Sequence, residues 1–291
     1  MEKFQHLELD EHWLVVQQEQ RGKRPKFWVS GNGEQWLRKE PNPARPFEPT
    51  IEMSTLRLAR AIGLEAPESY VCSWREEGNP GRQAKYGIIV KNFLMPDEEL
   101  AMGADLVNGY HPGYQRNQHG QHTLTLIRST LDGLEQERRV ALREPFVRML
   151  LFDAWIGNSD RHQENWGLIA SGGKAARLAP IFDTAACLGA ELQDGSLPRV
   201  TVGLPKYIEK CGSGFGDGER LVRQGEVLRQ LATWPEWAVA RDLVAIFRRQ
   251  YETEVATYFH SIPDAWLPAE RRGLAVLLLG ERLNWLEEKV R

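Results

Sequence analysis

The chain has little cysteine, no excess of positive charge and no long apolar run, and each shortage removes a class of protein. Its three cysteines, Cys72, Cys187 and Cys211, are odd in number and lack metal-ligand spacing. That argues against a disulfide scaffold and a cysteine-ligated metal, and for a reducing compartment. Lys and Arg total 37 against 40 Asp and Glu, a net charge of −3, so neither a nucleic-acid footprint nor strong attraction to an anionic membrane is expected. The cationic clusters at Arg21 to Lys26, Arg138-Arg139 and Arg271-Arg272 read as local surface features. The nearest thing to a spanning segment, Leu274 to Leu279, is too short to cross a bilayer, and Met1 to Asp10 is charged with no apolar signal core. A soluble, cytoplasmic protein is the expectation. No internal repeat is present.

A hydrophobic content of 42% in 291 residues supports a sizeable core and, by length, two lobes. Trp13 to Val16, Phe27 to Ser30, Trp36 to Lys39, Ser69 to Trp74 and Tyr86 to Val90 read as short strands around a helix of Met53 to Ile62. Together they predict a small lobe with a mostly antiparallel sheet. After Glu219, apolar periodicity through Leu221 to Trp234, Trp237 to Phe259 and Leu274 to Val290, broken at Pro235, Pro263 and Pro268, predicts a helical body. Gly103 to Gln121 is rich in Gly, Gln, Asn and His and lacks periodicity, so it reads as a polar surface loop. A metal site at His111, His119 and His122 would want Cys or acidic partners at helical or hairpin spacing, and there are none. Gly212 to Gly218 reads as a mobile loop near a substrate, since no strand leads into it as a dinucleotide site requires.

The densest chemistry lies in Asn158-Ser159-Asp160-Arg161-His162-Gln163-Glu164-Asn165-Trp166 and in Pro180-Ile181-Phe182-Asp183. Glu144 to Ile156, apolar at Phe146, Val147, Met149, Leu150, Phe152 and Trp155, predicts a buried helix closed by Gly157-Asn158. Asp160 then falls on a loop. Trp166 to Ile169, a turn at Ser171-Gly172-Gly173-Lys174 and Arg177 to Phe182 read as a hairpin returning Asp183 beside that loop. Phosphoryl transfer needs one carboxylate to accept or orient a hydroxyl proton, and a second carboxylate with an amide oxygen to hold Mg2+, a hard ion. Asp160 fits the first role, and Asn165 with Asp183 the second. Any one of the three alone reads more simply as a turn cap or a solvated acid; the set at this spacing does not. His162 has two readings, assistance in proton transfer or a backbone hydrogen bond that holds the loop.

The spacing of Asp160 to Asn165 matches the D-x-x-x-x-N end of the protein-kinase catalytic loop. More closely, Asp160-Arg161-His162-Gln163-Glu164-Asn165 and Leu178-Ala179-Pro180-Ile181-Phe182-Asp183 resemble the D-x-H-x-x-N and L-x-P-x-(Y/F)-D segments of the HipA-like serine/threonine kinases. The D-R-H-x-x-N form is also similar to phosphoinositide kinases. The resemblance implies an α+β, two-lobed protein-kinase-like fold, with a small antiparallel-sheet N-lobe over residues 1–95 and a mainly helical C-lobe over 96–291. It implies ATP and Mg2+ as cofactors and transfer of the γ-phosphate to Ser or Thr of a protein substrate. A lipid kinase and a catalytically silent nucleotide-binding module that docks a partner are the alternatives.

Gln35-Trp36-Leu37-Arg38-Lys39-Glu40-Pro41 resembles the strand that ends in the phosphate-binding lysine, with Glu52 as the carboxylate partner of Lys39. The Arg21 to Phe27 segment stands where protein kinases carry a glycine-rich loop, and Lys26 belongs to it. With one glycine, and with Pro25 lacking an N–H, the segment is poorly suited to a cradle of backbone donors, and cationic side chains would substitute. Lys91 to Pro96, with Phe93 and Met95, stands where the family's adenine-binding hinge lies. The best-known HipA proteins carry an additional N-terminal subdomain that this shorter chain is expected to lack, which weakens any inference about toxin activity or a DNA-binding antitoxin. A regulatory protein partner is compatible with the resemblance; nucleic acid and membrane are not expected partners.

Overall fold

A computed structural model describes residues 1–19, 25–75, 84–138, 140–172 and 176–291. Alternating apolar residues in short runs build a six-stranded sheet from β1 (His6–Leu9), β2 (Leu14–Glu19), β3 (Lys26–Gly31), β4 (Glu34–Lys39), β5 (Ser69–Trp74) and β6 (Lys85–Lys91), in the order β1-β5-β6-β4-β3-β2. All pairings are antiparallel except β1 with β5. Asn32-Gly33 turns β3 into β4 with both residues at positive φ, 54° and 76°, the backbone that a tight two-residue hairpin demands. Helix α1 (Glu48–Ala61) covers one face of the sheet, packing Met53 and Leu56 on Val71, Ile88 and Val90. The other face is an aromatic layer in which Trp36 and Trp74 pack with Val29, Cys72 and Ile89.

The helical part begins after β7 (Glu98–Met102), which pairs antiparallel with β8 (Gly167–Ser171), itself paired with the two-residue β9 (Arg177–Leu178). Helix α2 (Gly103–Tyr110), α3 (Leu124–Arg138) and the buried α4 (Arg143–Ile156) precede the loop carrying Asp160. Beyond Asp183 come α5 (Leu197–Val202), α6 (Leu204–Glu209), the hairpin of β10 (Gly212–Gly216) and β11 (Leu221–Arg223), then α7 (Gln224–Leu231), α8 (Ala240–Gln250), α9 (Ala256–His260) and α10 (Ala269–Lys289). The core is centred on α4, where Trp155 stacks on Phe247 at 4.5 Å and donates its indole N–H to Leu279 O of α10 at 3.1 Å.

Several sequence expectations need correction. Strand β1 lies in the charged N-terminal stretch, where no element was predicted; its backbone pairing with β5 outweighs weak side-chain periodicity. The first part of the expected polar loop is α2, held where the Gly103 and Ala104 N–H groups donate to Trp166 O and Gln163 O, both at 2.9 Å. Residue 103 must be glycine, because a Cβ would stand 2.2 Å from the Trp166 ring. The expected mobile loop at Gly212 to Gly218 is largely strand β10, and Ser213 is 4% exposed with its hydroxyl donating to Val222 O at 2.7 Å. Ser213 is therefore held in a strand and not in a mobile loop. Its glycines serve close approach: at Gly214, φ 77°, a Cβ would lie 2.6 Å from the Arg161 backbone.

The expected helix from Leu221 starts only at Gln224, and the run from Trp237 to Phe259 is interrupted by a π turn at Tyr251–Val255. Arg271 is 8% exposed and bonded to Asp194 Oδ1 and Leu192 O, not a free surface cation. Of the other cited segments, Arg21 to Arg24, Arg139 and Gly173-Lys174 lie outside the described residues.

His122 is also far from a surface residue. It is 1% exposed, stacks on Phe215 at 5.1 Å, and its Nε2 accepts the Trp166 indole N–H at 3.3 Å. Burial, helped by His162 and His119, pushes its pKa from 6.5 down to about 3. Below pH 6.5 the unfolded chain takes up a proton at this ring that the folded chain refuses until about pH 3. Stability should therefore fall across that window, by a few kcal/mol in order of magnitude. Urea melts from pH 7 to pH 4 should show a shallower decline for His122→Gln than for the wild type; parallel declines would remove His122 as the cause.

Candidate active site

Helix α4 is apolar almost all round, and its one acid near the C-terminal end, Asp153, is 4% exposed. Its partner is Arg161, 0% exposed, whose Nε and Nη2 donate to Asp153 Oδ2 and Oδ1 at 2.7 and 2.8 Å. Asn158 Nδ2 donates to the same carboxylate at 2.9 Å. The remaining arm of Arg161, Nη1, donates to Asn165 O and to Phe182 O, the latter at 3.0 Å. One buried guanidinium thus ties the helix to the far end of the Asp160 loop and to the peptide preceding Asp183.

Within the loop, the His162 N–H donates to Asp160 O at 2.8 Å and the Asn165 N–H to His162 O at 2.9 Å. Asn165 Nδ2 donates to Asp160 O at 2.7 Å, which leaves its Oδ1 as the acceptor end of the amide. His162 Nδ1 accepts the Glu164 N–H at 3.1 Å, which places the neutral ring's proton on Nε2, 3.9 Å from Asp160 Oδ2. The loop-holding reading of His162 therefore has a hydrogen bond behind it, and the proton-transfer reading has proximity alone. Arg116, from the segment between α2 and α3, clamps Glu164 with Nε to Oε1 at 2.5 Å and Nη2 to Oε2 at 2.6 Å.

From the sheet side, Lys39 at the end of β4 donates to Glu52 Oε1 of α1 at 2.6 Å and to Asp183 Oδ1 at 3.1 Å. Lys26, at the start of β3, reaches Asp183 Oδ2 at 3.4 Å. Asp183 itself sits at φ 55°, a backbone that few residues other than glycine adopt. It is held there from both sides: the Ile181 N–H donates to Glu65 O at 2.7 Å, and Thr184 shares a 2.7 Å hydroxyl contact with Thr55 of α1. Strain of this kind persists where the surroundings over-determine it, and it collects at functional sites.

The charges work against burial. Burial alone would lower the Lys39 pKa, yet Asp183 and Glu52 outweigh it and hold the ammonium above the ordinary lysine range. Burial would raise Asp183, but Lys39 and Lys26 hold its carboxyl well below the usual aspartate range. Burial raises Glu52 against the pull of Lys39. Asp160 is 57% exposed, yet partial burial is enough to raise its pKa, and the Asp183 charge adds to that against opposition from His162. Burial lowers His162.

Lys39, Glu52, Lys26 and Asp183 are thus in direct contact, and Asp160, His162 and Asn165 form one hydrogen-bonded loop facing them. Phe93 stacks on Phe182, which precedes Asp183, with the rings 5.8 Å apart. Met95 is 62% exposed and its N–H donates to Glu98 Oε2 at 3.0 Å, so that donor is already engaged. Asp153 was missed in the sequence. Its signal was there: an acid on an otherwise apolar helix, eight residues before an arginine, wants a buried partner.

Because Arg161 is fully buried, Asp153→Ala should destabilise the fold by roughly 3–5 kcal/mol in urea, the cost of leaving a charge unpaired. Asp153→Leu combined with Arg161→Met should recover much of that loss. A loss under about 1 kcal/mol for the single variant would show that the pair is not what orders the loop.

A family profile described as the HipA-like C-terminal domain matches residues 19–203. The serine/threonine-protein kinase CtkA of Helicobacter pylori is 44% identical over 145 residues, which is 49% of this chain and 41% of that protein. The chain matches only 38% to 43% of the length of three curated relatives. The crystal structure of a Helicobacter pylori proinflammatory kinase CtkA superposes with a TM-score of 0.76 at 16% identity, covering 98% of both chains. A chain of the Shewanella oneidensis HipA, HipB and operator DNA complex superposes with a TM-score of 0.59 at 14% identity, over 96% of this chain and 67% of that one. With the profile covering more than half its length and the same two-part α+β architecture in the solved structures, the chain belongs to the HipA-like C-terminal domain family.

Proposed function

We propose that the protein is an ATP- and Mg2+-dependent kinase that transfers the γ-phosphate to a serine or threonine of a protein. The observation that carries this reading is the cluster of Lys39, Glu52 and Asp183 facing the Asp160 to Asn165 loop. Lys39 and Lys26 supply fixed positive charge where phosphates would lie, and Glu52 keeps Lys39 extended. Asp183 and the Oδ1 of Asn165 are the oxygen donors suited to Mg2+, and the orientation of the Asn165 amide toward Asp160 O leaves that oxygen available. Bound Mg2+ would neutralise charge on the phosphates.

Asp160 carries the acceptor side. The hydroxyl oxygen forms the new bond to the γ-phosphorus, the bond from that phosphorus to the ADP oxygen breaks, and the hydroxyl proton passes to the Asp160 carboxylate. Arg161 holds Asp160, Asn165 and Asp183 in register, and His162 braces the loop. The curated relative CtkA is named as a serine/threonine kinase, which supports the acceptor class. In this reading we put the boundary between a nucleotide-binding N-lobe and a catalytic C-lobe near residue 95, and the site of action in the cytoplasm.

Asp183→Ala should abolish the Mg2+-dependent thermal stabilisation by ATP; an unchanged shift would remove Asp183 from the metal site. Asp160→Asn should lower kcat by about two to four orders of magnitude while ATP affinity changes little. Because Asp160 titrates above the ordinary aspartate range, and must be deprotonated to accept the proton, kcat should fall with decreasing pH through that raised pKa. For the acceptor, the protein is incubated with labelled ATP, Mg2+, a cell extract and phosphoinositide vesicles. Mass spectrometry should find phosphoserine or phosphothreonine, and label confined to lipid would overturn the protein-kinase assignment.

A further inference from the structure

Arg282, near the middle of α10, is 1% exposed, and among the described residues no carboxylate lies within ion-pair distance of it. A buried cation without a counter-charge is costly, so its retention asks for an explanation. Its guanidinium lies across the C-terminal end of α4. Nη1 donates to Ala154 O and to Gln224 Oε1, both at 2.7 Å. The approach is possible only because residue 157 is glycine, where a Cβ would stand 2.5 Å from Arg282 Nε.

Gln224, at the start of α7 and 4% exposed, passes the contact on. Since arginine only donates, the carboxamide oxygen must face Arg282 and the NH2 must face the other way. That NH2 donates to Asp153 O at 3.1 Å and Asn158 O at 2.7 Å. These carbonyls flank the turn from α4 into the catalytic loop. The last carbonyls of a helix carry the negative end of its dipole; here Asp153 O, which already accepts the Asn158 N–H at 2.9 Å, also takes the Gln224 amide, and the Arg282 charge lies on Ala154 O.

We propose that Gln224 and Arg282 are positioning residues for the catalytic loop, fixing the exit of α4 so that the Asp153–Arg161 pair holds Asp160, Asn165 and Asp183 at working separation. They touch no substrate; they act through Asn158 and Asp153. This rests on the kinase reading for its catalytic consequence but not for its structural one. A misplacement of the reacting groups by about 1 Å costs on the order of a hundredfold in rate, so loss of this brace should be visible in kcat.

Gln224→Glu is the informative substitution, because its carboxylate keeps a partner in Arg282 while losing both N–H donors to Asp153 O and Asn158 O. Wild type, Gln224→Glu and Arg282→Lys are compared by amide exchange, by thermal melts and by steady-state phosphotransfer. Expected for Gln224→Glu are faster exchange at the His162 and Asn165 amides with α8 protection unchanged, a kcat lowered about 10- to 100-fold and a KM for ATP within about twofold. Arg282→Lys, which keeps the charge but replaces the guanidinium fork with a single donor nitrogen, should fall between that variant and wild type. Unchanged loop exchange in Gln224→Glu would overturn the proposal, as would a loss of protection spread evenly over α4, α7 and α8, the sign of a purely structural role. If the wild type shows no phosphotransfer, the kinase reading fails, and the exchange pattern alone still decides this one.

Discussion

The site depends on one buried ion pair, Asp153 with Arg161. An isolated charge in an apolar core is expensive, and a single pair of charges repays that cost only when its geometry is good and its remaining donors are used. Here the geometry is a two-point contact at 2.7 and 2.8 Å, and the third arm of the guanidinium is spent on Asn165 O and Phe182 O. Stability alone would be served as well by apolar residues of similar size. What those could not supply is a rigid connection between three backbone segments that hold Asp160, Asn165 and Asp183.

The sheet side solves a complementary problem. Four ionised groups in contact must balance, and Lys26 and Lys39 against Glu52 and Asp183 do so. For two of them the neighbours outweigh burial: Lys39 is held charged despite it, and Asp183 likewise. A cation on each carboxylate oxygen of Asp183 also marks where incoming charge would act, since phosphates would compete for the lysines and a metal for the carboxylate. The segment that precedes Lys26 has one glycine, so under the proposed kinase reading side-chain cations such as Lys26 would take the task that backbone amides perform in a glycine-rich loop.

How much of this was legible in the sequence varied with the range of the forces involved. Helix α4, the strands β3 to β6 and the loop from Asp160 to Asn165 announce themselves through local periodicity and spacing, and the observed bounds differ by a few residues. Lys39 and Glu52 were legible only through the family resemblance and Asp183 through the spacing and hairpin that follow Asn165; the structure brings the three into contact. By contrast, β10 was misread because its glycines look like a loop by propensity. They are there so that the backbone can lie within van der Waals contact of Arg161 and Gly120, which only the fold reveals. Strand β1 and helix α2 were missed for a related reason: each is fixed by a pairing with a distant segment, Ser69 to Trp74 for one and Gln163 to Trp166 for the other.

The histidines show the same division. Three of them within twelve residues of sequence look like a surface loop or a metal site, yet His122 is a neutral core residue whose ring accepts the Trp166 indole N–H. Trp166 follows Asn165 directly, so the ring that the histidine supports is next to the amide that would hold the metal. Burying a titratable ring there is tolerable because it stays neutral across the physiological range, and protonation would break the indole hydrogen bond. The floor of the Asp160 to Asn165 loop is therefore built from a neutral ring stack beneath Trp166 on one side and, on the other, a charged pair whose guanidinium is bonded to Asn165 O and Phe182 O.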